Sequence, residues 1–298
     1  MRYSGLLTAL SVCLLAVGCC QTVRQDHPRH VVFIGFDGLS GTILAAKPES
    51  MPVLSGLKER AAWTFSSRSV LPTFSTCNWR SIYSCSGTEQ HGHVKPDSRQ
   101  PVFAPAAVNA LGKYPDILSE LRRQRPEAKI EFLHQWNALS VQANTEACDY
   151  VFCEAERKLA DAAVDRILHS RPEFLSVVFD EPDHTGRFGW GSPEYLAACA
   201  RMDGYLKDIL SAVEASGDAD ETLVVITSDH GGEGNKHGGA TLEEMNRPLF
   251  ILGKNVKRNF RIEDSTTVYD TGATLAWALG LAFPQAWIGR PILSAFNE

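Results

Sequence analysis

Residues 222–239 read TLVVITSDHGGEGNKHGG, an apolar, β-branched run that breaks abruptly into ligand-type side chains and glycine. The run Thr222–Thr227 predicts a buried strand. Asp229 and His230 then fall at its carboxyl end, the edge at which open α/β sheets bind their ligands. His237 follows in the same loop. Asp and His are residue types that zinc selects, and the glycines let backbone approach an ion or anion closely. One histidine in a glycine-rich loop would be incidental; three such side chains beside one strand end predict a metal site.

Two other stretches repeat the pattern. HVVFIGF (His30–Phe36) ends in Asp37-Gly38, and FLSVVF (Phe174–Phe179) is followed by Asp180, Glu181 and Asp183. Continuous apolar runs of this length suit strands buried on both faces of a parallel sheet. Further strands are expected at 66–70, 129–133 and 248–252. Helical spacing appears over 51–63, from Thr76 onward, over 106–109 and 114–123, and over 155–169. Another helix is expected over 193–215, with Tyr195, Cys199, Met202, Leu206, Ile209 and Val213 on its apolar face, and a last one over 269–281. Segment 143–153 is acidic and has no clear period. Strands alternating with helices predict an α/β fold, a three-layer α/β/α sandwich with a mainly parallel central sheet. Its carboxyl edge would gather Asp37, Asp183, Asp229, His230 and His237. A carboxylate-rich site with two histidines suits two divalent ions. Ser75 or Thr76, at the start of a helix, could supply a nucleophile beside amide groups that favour anionic oxygens.

The chain has 298 residues, 44% hydrophobic and 21% charged, which is ordinary globular composition. A net charge of -6 without a Lys/Arg run provides no field for DNA or RNA, so no polymeric nucleic-acid partner is expected. Arg2 precedes the apolar run 6–17, which is short for a membrane span and reads as an export signal. Gly18-Cys19 resembles a bacterial lipoprotein cleavage site. The expected organisation is a signal peptide at 1–19, a short tether at 20–29 and one catalytic domain at 30–298. A lipid on Cys19 would anchor the protein to a membrane, periplasmic or at the cell surface, with simple secretion as the alternative. Of the five cysteines beyond the signal, Cys148 and Cys153 are the pair expected to form a disulfide.

FDG at Asp37, PTFSTCNW at 72–79, EPDHTGRFGWGSPEY at 181–195, SDHGG with HGG, and DTGATLAWALGLAFPQAWIGRPI near the carboxyl terminus together resemble the alkaline phosphatase superfamily, in particular its nucleotide pyrophosphatase/phosphodiesterase branch. The resemblance covers nearly all of the chain after the signal. It implies two zinc ions, one held by Asp37, Asp229, His230 and the nucleophile's oxygen, the other by Asp183 and His237. It implies Ser75 as nucleophile, with Thr76 in reserve, and Asn78 steadying a substrate oxygen. Where that branch carries a second histidine ligand in D-x-x-G-H, this chain has Arg187. Arginine does not ligate zinc, so a weak or empty second site is expected, with Arg187 binding a substrate phosphate or His184 substituting as ligand. The implied activity is hydrolysis of a small phosphorylated substrate, a phosphodiester or pyrophosphate, through phospho-Ser75. The alternatives are an impaired homologue that binds a phosphorylated or sulfated ligand, a phosphotransferase, or a sulfatase-like relative. Cys77-Asn78-Trp79-Arg80 lacks the C-x-P-x-R pattern of type I sulfatases. Open loops at 89–105 and 136–153 would shape the leaving-group pocket.

Overall fold

The computed structural model of the protein describes residues 27–297. The expected signal, the lipid-bearing Cys19 and most of the tether lie outside that range. No helix among the described residues is long and apolar enough to cross a membrane.

Among the described residues, eight strands form one sheet: β1 (His30–Phe36), β2 (Ala62–Arg68), β3 (Ile130–His134), β4 (Tyr150–Cys153), β5 (Phe174–Phe179), β6 (Thr222–Thr227), β7 (Asn246–Gly253) and β8 (Phe260–Arg261). Their spatial order is β4-β3-β5-β1-β6-β7-β2-β8. Every described strand points the same way except β7, which runs antiparallel between β6 and β2. Alternate side chains of each central strand enter opposite layers. Val31 and Phe33 of β1 pack with the helices Ser75–Ser84, Ile117–Gln124 and Val268–Ala278. Val32, Ile34 and Phe36 pack with the helices Glu156–Asp165 and Pro193–Ala215. This is the expected α/β/α sandwich, and double coverage explains why β1, β5 and β6 read as unbroken apolar runs.

The helix Pro193–Ala215 starts where the sequence says it should. Ser192 caps it by accepting from the Tyr195 N–H at 3.2 Å, and Pro193 occupies a first-turn position where no amide donor is needed. Elsewhere tertiary pairing overrides local period. The expected helix over 51–63 stops early, as Pro52–Gly56 and a 3-10 turn Leu57–Glu59, because Ala62 and Trp63 pair with β7 as the start of β2. Residues 106–109 form no helix; the Asn109 side chain accepts from the N–H groups of Leu111 and Lys113 and so holds a turn instead. Segment 143–153 yields a 3-10 turn and β4.

The expected Cys148–Cys153 disulfide is absent, and both thiols are free. Cys148 is extended and β4 continues to Cys153. Backbone rising about 3.3 Å per residue cannot bring the two Cα atoms within the reach of a disulfide.

The site follows from the strand order. β1 lies between β5 and β6, with Phe36 level with Phe179 and Gly35 level with Thr227. Asp37, Asp180 and Ser228 therefore leave the sheet side by side.

Candidate metal centre and active site

Gly38 sets the first turn. Its φ of 69° is one that glycine adopts without strain, and a Cβ there would lie 2.7 Å from the Asp183 Cα. The Gly38 N–H donates to Asp229 Oδ1 at 3.1 Å, and the Asp183 N–H donates to the Asp37 carbonyl at 2.9 Å. Backbone thus locks the three strand ends together.

The side chains converge within that frame. Asp37 is 2% exposed; its Oδ2 accepts from the Trp79 indole N–H at 2.7 Å, and its Oδ1 lies 3.2 Å from Ser75 Oγ. Asp229 is fully buried, with Oδ1 anchored by Gly38 and Oδ2 left without a hydrogen-bond partner. Asp183 Oδ1 is buried and unpartnered as well. His230 directs Nδ1 to the Gly231 carbonyl at 2.7 Å, and His237 directs Nδ1 to the Thr73 carbonyl at 3.0 Å. A carbonyl accepts only, so each Nδ1 carries the proton and each Nε2 offers a bare lone pair. His230 Nε2 lies 3.0 Å from Ser75 Oγ, 3.3 Å from Asp229 Oδ2, 3.5 Å from Asp37 Oδ1 and 4.0 Å from Asp183 Oδ1. His237 Nε2 lies 3.6 Å from Asp183 Oδ1.

Lone pairs facing one another in a buried place are what a cation resolves. Asp37, Asp229, His230 and His237 are each also oriented by a partner behind them, as metal ligands are. Two overlapping groups could hold an ion: Asp37, Asp229 and His230, and Asp183, His230 and His237. The residues fit divalent cations in donor type and geometry. Burial, with Asp229 and Asp183 nearby, pushes the Asp37 carboxyl well above the ordinary range. Burial raises Asp229 to about 8, and burial with Asp183 beside it raises Asp180 to about 7. Carboxylates so crowded are costly without a counterion.

Ser75 opens the ten-residue helix Ser75–Ser84; the Cys77 and Asn78 N–H groups donate to the Phe74 carbonyl at 3.0 Å, which leaves the Ser75 and Thr76 amides at the open helix start. Ser75 and Thr76 both line a cavity of about 240 Å³ together with Phe74, Asp180, Asp183 and His237. Pro96 and Asp97 from one expected loop, and Trp136 from the other, complete it. Thr76 is almost fully buried, 1% exposed, and Ser75 alone of the two bonds to the cluster.

Three expected residues sit elsewhere. Asn78 is fully buried; its Oδ1 accepts from the Val70 N–H at 2.7 Å, and its Nδ2 faces the carbonyls of Val70, Pro72 and Phe74 at 3.1–3.4 Å. It braces the loop that carries Ser75 instead of presenting a free donor to substrate. Arg187 is exposed with its guanidinium over the Phe188 ring at 5.0 Å, and His184 is exposed; neither lines the cavity. Two supports were not apparent in the sequence. Trp79 fixes Asp37, and the fully buried Arg247 braces the β6 tip by donating to the Ser228 carbonyl at 3.2 Å and to Ser67 Oγ at 2.9 Å. Their signal, an aromatic or charged residue within an apolar element, has many other causes.

Residues 31–249 match the family model of type I phosphodiesterase / nucleotide pyrophosphatase. The chain belongs to this family. Its fold is shared with murine ectonucleotide pyrophosphatase / phosphodiesterase 5, solved as an inactive variant in complex with AMP: TM-score 0.73, 13% identity, 90% of this chain and 100% of that one. A 2-O GAG sulfatase gives TM-score 0.73 at 14% identity over 90% of this chain and 74% of its own. Among curated sequences, Bos taurus arylsulfatase K is 28% identical over 109 residues, 35% of this chain and 20% of the relative. The Homo sapiens GPI ethanolamine phosphate transferase 2 catalytic subunit is 33% identical over 116 residues, 36% of this chain and 12% of the relative. The matched segment thus spans about a fifth or less of these curated relatives. Family and fold neighbours together place the chain in the alkaline phosphatase superfamily and support a phosphate-ester hydrolase or sulfatase-like activity.

Proposed function

We propose that the protein is a metal-dependent phosphodiesterase in which Ser75 is the nucleophile, exported and lipid-anchored through Cys19. The observation that carries the reading is the placement of Ser75 Oγ at a helix start, between Asp37 Oδ1 and the bare His230 Nε2. The hydroxyl has one proton and two acceptors, so its oxygen is held in a fixed orientation towards the cavity. Asp37, Asp229 and His230 would hold one divalent ion, zinc by donor type, and Asp183 with His237 a second. Such ions, when bound, lower the pKa of a coordinated hydroxyl and offset charge on phosphoryl oxygens.

Ser75 Oγ gives up its proton and attacks phosphorus; the bond to the leaving alcohol breaks as the Oγ–P bond forms, and the alcohol departs with a proton. Water then adds to phosphorus, the Oγ–P bond breaks and Ser75 regains a proton. The Ser75 and Thr76 amides at the helix start would meet the phosphoryl oxygens, the preferred place for anionic oxygen, whereas the Cys77 and Asn78 N–H groups donate to the Phe74 carbonyl.

The arylsulfatase K relatives favour a second reading, hydrolysis of sulfate esters through the same serine. A cysteine-derived nucleophile does not fit, because Cys77 is fully buried and does not line the cavity that Ser75 lines. Hydrolysis of bis(p-nitrophenyl) phosphate, p-nitrophenyl phosphate and p-nitrophenyl sulfate by zinc-loaded protein separates these readings. The phosphodiester is expected to be turned over fastest; folded protein that turns over none of the three with any divalent ion defeats the enzyme reading in favour of a binding role.

A further inference from the structure

A second cavity, of about 190 Å³, shares no lining residue with the one in front of Ser75. Arg80, on the Ser75 helix, lines it together with Arg99, Lys113, His91, His93 and Asn144, and no carboxylate does. Its charge is the reverse of that in front of Ser75, where Asp97, Asp180 and Asp183 line the wall and no Lys or Arg does.

Arg80 is the fixed part of this wall. It is 3% exposed; its Nη1 donates to the Gln142 carbonyl at 3.1 Å and its Nη2 to the Tyr114 carbonyl at 2.8 Å, while Nε has no partner. Among the described residues, seven buried side-chain polar atoms lack a partner. Two belong to Asp183 and Asp229 of the metal cluster. Three others are grouped here: Arg80 Nε, Asn144 Oδ1, and Oε1 of the Gln142 whose carbonyl holds Arg80. Buried polar groups are ordinarily matched, so the grouping marks a place that a polar ligand completes. Two acids stand behind the cations without lining the cavity: Asp116 Oδ2 lies 3.6 Å from Arg80 Nη1, and Glu146 Oε1 lies 2.8 Å from Lys113 Nζ. The Lys113 pair is exposed to solvent, where such pairs hold weakly. Arg99 is exposed and makes no ion pair among the described residues.

The neutral groups on the wall include acceptors. Burial, with Arg80 nearby, keeps His91 well below its ordinary range and His93 at about 4, so both rings are uncharged. His93 Nδ1 faces the Ser98 carbonyl at 3.2 Å and therefore carries the proton, which leaves Nε2 a bare lone pair. Asn144 Oδ1 is a second open acceptor. A fully deprotonated oxyanion would leave both unmatched, whereas one that retains an O–H meets the cations and an acceptor together.

We infer that this cavity binds inorganic phosphate in its monohydrogen form, separately from the Ser75 centre, with Arg80, Arg99 and Lys113 meeting the oxygens and His93 or Asn144 accepting from the O–H. Guanidinium groups suit the oxygens of such an ion in geometry as well as charge. The site is independent of which ester the Ser75 centre hydrolyses.

Equilibrium dialysis of the full chain, stripped of metal by a chelator, against labelled inorganic phosphate at pH 8 tests this. Without metal the Ser75 cavity has three lining carboxylates and no Lys or Arg to hold an anion, so the two sites are not confused. One phosphate per chain is expected. Arg99→Gln and Lys113→Gln, both at exposed positions, should each weaken binding by about tenfold, the scale of a hydrogen bond to a charged group. Sulfate and methyl phosphate, dianions without an O–H at that pH, should compete at least about tenfold less well, because they leave buried acceptors unmatched. Folded protein that binds no phosphate overturns the inference. Binding unmoved by either substitution overturns the assignment to this cavity, and equal competition by sulfate or methyl phosphate overturns the choice of a protonated free ion.

Discussion

The imidazole rings of His230 and His237 stack, with centroids 4.0 Å apart and planes 11° from parallel. Two imidazolium ions would repel at that distance, and burial, with His237 alongside, holds His230 well below its ordinary range. His230 therefore presents a neutral nitrogen to the acids. Their surroundings differ: His230 faces Asp37 and Asp229, almost wholly enclosed, whereas the side chains of His237 and Asp183 are 24% and 23% exposed. The enclosed group should bind the tighter ion. Dialysed protein is expected to retain about one zinc per chain by atomic emission, with the second binding at least about tenfold more weakly. His237→Ala should keep the tight ion and His230→Ala should lose it. Loss of both ions in His237→Ala would show the ranking to be wrong.

Removing metal should reverse the usual effect of pH on stability. Burial raises the carboxyls of Asp37, Asp180, Asp183 and Asp229 in the folded chain, Asp180 to about 7 and Asp229 to about 8. In the unfolded chain they titrate near 4. Between those values the folded state binds more protons, so stability falls as pH rises. The melting temperature of chelator-stripped protein should therefore drop from pH 5 to pH 8, and zinc should restore most of the loss at pH 8. A stripped protein that becomes more stable over this interval would contradict the crowding of these acids.

Ser75→Ala is expected to lower kcat by about 10³-fold or more, the scale seen when a nucleophile is removed. Thr76→Ala should cost far less, because Thr76 is enclosed and makes no bond to the cluster. Mass spectrometry of protein acid-quenched during turnover of a phosphodiester should find, on Ser75 alone, a phosphoryl group still esterified to the retained alcohol. Equal losses in the two variants would leave the nucleophile unassigned.

Much of this was legible in the sequence, for a physical reason. β1, β5 and β6 are buried on both faces, so each is an unbroken apolar run, and the polarity change at its end marks the site without knowledge of the fold. Asp37, Asp183, Asp229 and His230 were readable there, and His237 in the loop that follows β6. What escaped depends on contacts distant in sequence. β2 begins at Ala62 because β7 pairs with it, which no helical period over 51–63 reveals. Asp97 and Trp136 belong to loops whose shared cavity arises only when the sheet is assembled.

Asn78 provides a test of that distinction. Its amide holds the carbonyls of Val70, Pro72 and Phe74 and the Val70 N–H, and the same loop supplies the Thr73 carbonyl that orients His237. Asn78→Ala leaves buried backbone groups unmatched, at about 1–3 kcal/mol. Weaker binding of the second ion and a lower melting temperature should appear together. A fall in kcat with stability and metal content unchanged would instead favour direct contact between Asn78 and substrate.

Arg187 separates its two expected consequences. Its guanidinium lies over Phe188 outside the cavity, so it makes no approach to the phosphoryl position. Arg187→Ala is expected to change kcat/KM for a phosphodiester by less than about twofold, as substitutions away from a structural feature generally do. Position 187 closes the single helical turn Asp183–Gly186, one turn beyond Asp183. Residues four apart on a helix share a face, so Arg187→His sets an imidazole on the side of Asp183 and His237. Affinity for the second ion, measured by competition with a chromogenic chelator, should then rise by about tenfold or more. A large loss in Arg187→Ala, or no gain in Arg187→His, would show that the arginine acts on the substrate or that the turn directs position 187 away from the ion.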